Sequence, residues 1–62
     1  MNYAKKIKQY REKELLTQRQ LAEKLKVGVV NVSRWERGHY KPTLETKRKL
    51  KLLFEEAGIA ED

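Results

Sequence analysis

Arg34 and Arg37 stand three residues apart in the segment VVNVSRWERG, with Ser33 beside the first of them. A guanidinium presents five N–H donors in a planar fork, which matches the paired oxygens of a phosphate or the O6 and N7 edge of a guanine. A serine hydroxyl donates and accepts at the same place. In this pairing such groups recognise anions and base edges rather than make or break covalent bonds. The rest of the chain offers little covalent chemistry either. It has no cysteine, and its one histidine, His39, has no second imidazole or thiolate with which to hold a metal. There is no glycine-rich phosphate loop. The carboxylates are scattered among lysines, and a chain this small has little room for a pocket. No enzyme, cofactor or metal is expected.

Those residues need a scaffold. Sixty-two residues allow one domain, residues 1–62. Such a chain buries only about 60% of its unfolded surface, so its stability margin is small and a partner matters. Charged residues make up 39%, but they alternate with apolar ones at helical spacing, which favours folding over disorder. Lys and Arg number 15 against 9 Asp and Glu, a net charge of +6. A solvated surface accounts for that balance as well as an anionic partner does. The opening MNYAKKIKQYREKE has no apolar core, so a signal peptide is not expected in it. No stretch approaches the ~18 apolar residues that span a bilayer, so a cytoplasmic location is expected.

The pattern predicts four helices. In the first, about Asn2 to Glu14, Tyr3, Ile7, Tyr10 and Arg11 share one side. Arg11 thus sits at the edge of the buried face, where a charge without a partner is costly. Thr17 and Gln20 fit a capping box, with Leu16 and Leu21 as a hydrophobic staple, so the second helix covers about 18–25. It turns Leu21, Ala22 and Leu25 inward and Arg19, Gln20, Glu23 and Lys24 outward. The small Ala22 permits the close approach of a tight two-helix corner. The third helix, about 29–37, has Val32, Trp35 and Glu36 on one side and Val30, Ser33, Arg34 and Arg37 on the other. Gly28 is an acceptable N-cap and Gly38 a stop. Thr43 starts a fourth helix that runs to Ala57, with Thr46, Leu50, Leu53, Phe54 and Ala57 as its core stripe. Leu44 and Leu52 lie off that stripe, and Ile59 lies nearby. These three are either a dimer surface or, for Leu44 and Ile59, residues that pack back under the loop and onto the domain.

Two short helices with a tight turn between them, the second presenting a polar face, have the layout of a helix-turn-helix. A major groove about 12 Å wide admits one helix. The chain resembles the phage Cro and repressor type of helix-turn-helix family. Arg11, LTQRQLAEKL, Val27, VSRWERG, Pro42 and the leucine-rich fourth helix carry the resemblance, over roughly residues 3 to 57. It implies a compact all-α repressor-like domain of four or five helices, bacterial or phage in origin. It also implies sequence-specific binding of double-stranded DNA by a transcriptional regulator, with repression and a homodimer on a palindromic operator as the first expectations. An antitoxin-like or accessory protein-interaction module on the same fold is the alternative.

Residue by residue, the resemblance implies that Gln18 contacts a phosphate and braces the recognition helix. Val29, Val30, Ser33 and Arg34 match positions facing base edges, and Asn31 and Arg37 match positions touching backbone or flanking bases. Arg11 and Glu36 match a structural ion pair, which the helical wheels support independently. Arg19, and His39 and Lys41 in the loop, complete the candidate DNA-contacting set, although His39 also reads as a plain exposed loop residue. Tyr40 is either core or a phosphate donor. Trp35 reads as core, and Lys47, Arg48, Lys49 and Lys51 as a solvated face with a phosphate patch as the alternative. Two departures stand out. Lys26 fills a turn position where the family usually has glycine, and a left-handed lysine costs roughly 1–2 kcal/mol. Val29 and Val30 replace polar readers; valine cannot hydrogen-bond a base but can pack on a thymine methyl. Polar readout then falls mostly to Arg34, bidentate to a guanine.

Overall fold

Each helix begins where a side-chain oxygen is available or a glycine frees the backbone. The computed structural model describes residues 2–59. Among them it contains α1 (Tyr3–Lys13), α2 (Gln18–Leu25), α3 (Val29–Glu36) and α4 (Leu44–Glu56), and no strand. Asn2 accepts from the Lys5 amide at 3.2 Å, so it caps α1 rather than opening it. Thr17 and Gln20 form the expected capping box, with reciprocal bonds of 3.1 and 2.9 Å. Thr43 accepts from the Thr46 amide. Gly28 leads into α3 with an extended backbone and no side-chain cap. Glu14, Arg37 and Ala57 are flanking C-caps, one residue beyond the helices they were expected to end.

Three of the four helices end in the same way. The amides of Leu16, Val27 and Ile59 donate back to the carbonyls of Arg11, Ala22 and Phe54 at 2.8, 2.9 and 2.8 Å. The residue before each is left-handed: Leu15 at φ 57°, Lys26 at φ 59° and Gly58 at φ 72°. This is the Schellman reversal, which satisfies orphan carbonyls and turns the following apolar residue back toward the helix. Leu16 and Val27 pack against the core, and Ile59 enters it. Lys26 therefore keeps the glycine-type turn rather than altering it. Leu15 does the same while lying 89% exposed.

The core joins Ile7 and Tyr10 of α1, Leu21, Ala22 and Leu25 of α2, Val32 and Trp35 of α3, and Leu50 and Phe54 of α4. The Tyr10 and Phe54 rings meet tilted, with centroids 5.9 Å apart. Of the two readings of Ile59, the one that packs it back onto the domain holds, and it leaves the candidate dimer surface. It is 4% exposed, because the left-handed Gly58 reverses the chain and drives it inward. Leu44 and Leu52 stay outside at 65% and 63%.

The fourth helix is also less idle on its basic side than expected. Lys49 reaches the Leu25 carbonyl at the end of α2, and the Lys47 ammonium lies 5.3 Å from the centroid of the Tyr3 ring. Lys13 of α1 donates to the Ala57 carbonyl at the end of α4. A cation at a helix C-terminus answers both its free carbonyls and its dipole. Arg48 and Lys51 remain exposed. No helix among the described residues is long and apolar enough to cross a membrane.

Candidate nucleic-acid interface

The far end of α3 is held by the Glu36 carboxylate. Arg11 Nε donates to Oε2 at 2.8 Å and Arg11 Nη2 to Oε1 at 3.0 Å, a bidentate pair between α1 and α3. Gln18 Nε2, in the first turn of α2, donates to the same Oε1 at 3.3 Å. Arg11 Nη1 donates to the Leu16 carbonyl at the corner between α1 and α2, at 3.2 Å. One carboxylate thus ties three helices together. The Arg11 side chain is 19% exposed and that of Glu36 8%. The hydrogen bond to Glu36, with its charge, raises the Arg11 pKa against the opposing effect of burial. Among the described residues, no buried side-chain nitrogen or oxygen lacks a partner.

With its C-terminal end held and its inner face packed on α1 and α2, α3 leaves its N-terminal half to solvent. Val29 is 37% exposed and Val30 57%, and Asn31 and Arg34 are exposed beside them. Arg37, His39 and Lys41 follow in the exposed segment after α3, and Arg19 is exposed on α2. Gln18 is half-buried, turned toward Glu36. Ser33 departs from the wheel. It is half-buried, because a helix flanked by two others keeps a narrower free arc than the wheel grants it. Trp35 is buried, which leaves no face of its ring for a base to stack on.

Of the two readings of Tyr40, the core one does not hold. It is 58% exposed, so it is not core, and its ring lies under the Arg34 guanidinium, 5.2 Å from centroid to Cζ. A cleft of about 300 Å³ opens beside this pair, between α3 and the segment leading into α4, with Val27, Asn31 and Thr46 among its walls. Sequence reasoning missed the contact. The two residues are six apart across the left-handed Gly38, and no helical period links them. The exposed arc of α3 carries hydrogen-bond donors and small apolar groups side by side. Such a surface suits insertion into a groove.

A family model described as helix-turn-helix matches residues 7–55. Over 54 residues, 87% of the chain, the sequence is 39% identical to the HTH-type transcriptional regulator ImmR of Bacillus subtilis (strain 168). The match takes in 42% of that relative, so the chain spans less than half of its length. No solved structure matches the chain. Fold, site geometry and the extent of the family match agree: the chain belongs to the helix-turn-helix family, in its Cro and repressor type.

Proposed function

We propose that this chain is a sequence-specific double-stranded DNA-binding module of a transcriptional regulator, acting in the cytoplasm with α3 in the major groove. The observation that carries the proposal is the carboxylate tie at Glu36. It fixes one end of α3 and leaves Val29, Val30, Asn31 and Arg34 exposed together. The family membership and the name of the relative support the same reading. Val29 and Val30 pack on thymine methyls, and Arg34 reads a guanine edge, a contact of about 1–3 kcal/mol in discrimination. Ser33 reaches the groove only from its margin. Gln18, Arg19, Asn31, Arg37, His39 and Lys41 meet phosphates or flanking bases and set the register. The regulator represses, and it binds as a homodimer through Leu44 and Leu52 on α4 to a palindromic operator with half-sites about 34–36 Å apart.

Selection from a pool of randomised duplex DNA tests this. The expected product is a two-fold repeat with an invariant G·C pair next to T·A pairs in each half. Arg34→Ala then abolishes the preference for that duplex over a scrambled one. Equal loss on both duplexes reduces Arg34 to a phosphate contact. A pool that enriches nothing overturns DNA reading and favours a protein partner.

A further inference from the structure

Taking α3 as the groove-facing helix, the geometry points to Tyr40 as the residue that positions Arg34 for base readout. An arginine on an open helix face has a long, freely rotating side chain, and fixing it on binding costs entropy. Here the guanidinium lies over an aromatic face at 5.2 Å, inside the ~6 Å range of a cation–π contact. That contact holds the group through its charge and leaves the N–H edge available. The five donors of Arg34 make no hydrogen bond within the described residues, so the fork remains open for a guanine.

The platform is itself held. Gly38 turns the chain at φ 80°, Pro42 is buried two residues after the tyrosine, and Thr43 caps α4 immediately after that. A ring 58% exposed contributes little to the core. Its exposure beside the recognition helix is explained by what it supports. The hydroxyl is not needed for this role; the ring is.

The test measures affinity for the duplex enriched by selection and for a scrambled duplex of equal length. Tyr40→Leu weakens the enriched duplex roughly two- to five-fold, the range of a cation–π contact at an exposed site, and leaves the scrambled one unchanged. Tyr40→Phe stays near wild type. In an Arg34→Ala background Tyr40→Leu has no effect, since the residue it positions is gone. In the free protein, the ring current of Tyr40 shifts the Arg34 side-chain protons upfield, and Tyr40→Leu removes the shift without moving the unfolding midpoint. The inference is overturned by equal weakening on both duplexes, persistence of the effect without Arg34, loss in Tyr40→Phe, or tighter binding by Tyr40→Leu. A pool with no enriched duplex refutes the groove reading itself. Enrichment with a preference that ignores Tyr40 refutes this inference alone.

Discussion

Glu36→Gln removes one charge and keeps the shape of the side chain, which makes it the cleanest probe of the tie between the three helices. The carboxylate accepts two bonds from Arg11 and one from Gln18. An amide has one oxygen to offer, so its NH₂ must face a donor of Arg11 or Gln18. Hydrogen bonds to charged groups contribute about 1.5–3 kcal/mol each. One is lost and the others weaken to charged–neutral or neutral bonds. Breaking a fully buried pair costs about 3–5 kcal/mol, but Arg11 is 19% exposed and water screens the remainder. The expected loss is therefore about 2–3 kcal/mol, or a fall of roughly 10–20 °C in Tm for a domain of this size. Thermal and urea unfolding followed by circular dichroism measure it. A companion variant, Arg11→Met with Glu36→Leu, recovers much of the loss, because an apolar pair of similar volume replaces both charges at once. A loss under about 0.5 kcal/mol for Glu36→Gln would place the pair among ordinary surface ion pairs and refute the reasoning.

Other outcomes follow from the same geometry. The raised pKa of Arg11 makes its contribution fully present below the unfolded-state value and lost only as pH rises through the folded one. Between about pH 7 and pH 10, unfolding midpoints should show no loss traceable to this pair, because arginine stays charged throughout. Lys26→Gly and Leu15→Gly each relieve a left-handed L-residue and stabilise by about 1 kcal/mol in urea unfolding, less than the full strain because glycine frees the unfolded chain. Ile59→Ala costs about 2–4 kcal/mol as a core truncation, whereas Leu52→Ala leaves stability within about 0.5 kcal/mol. Lys41→Gln weakens binding to all duplexes alike and reduces the slope of log affinity against log salt by about 1, as a single phosphate contact requires.

Short-range chemistry was legible in the residues; reversals and long reaches were not. The capping box at Thr17 could be read because both partners lie within one helical turn. The Arg11–Glu36 pair, 25 residues apart, is legible through the family resemblance, and the wheels support it because each residue is a charge on an inward helix face. Ile59 could be read as exposed or as folded back because a helical wheel ends where the helix does; Gly58 decides between them by sending the next residue back. Leu15 gave no warning, since a branched side chain carries no preference for positive φ. Lys49 looked like solvated charge because its partner is a backbone carbonyl 24 residues away, and a carbonyl has no residue type to read; the contact of Lys13, 44 residues long, is hidden in the same way. Ser33 lies deeper than its wheel position implies, as the wheel shows a helix without its neighbours.

The two left-handed L-residues bracket one helix. Leu15 lies just before the Thr17 cap of α2, and Lys26 just after Leu25. At roughly 1–2 kcal/mol each they weigh on a chain whose total stability, at about 0.05–0.15 kcal/mol per residue, is only several kcal/mol. Both reversals return an apolar residue to the core, Leu16 before α2 and Val27 after it. Val27 is also one residue from the start of the path into α3. The direction of α3 is thus set at its near end by a strained turn with a buried anchor, and at its far end by Glu36. Neither constraint alone fixes a helix of eight residues: a turn leaves it free to swing, and an end tie leaves it free to roll. With Val32 and Trp35 buried in the core, the two together determine which arc faces outward. Strain at Lys26 is then a consequence of the position rather than of the residue, since any L-amino acid placed there meets the same φ while the Val27 amide bonds the Ala22 carbonyl.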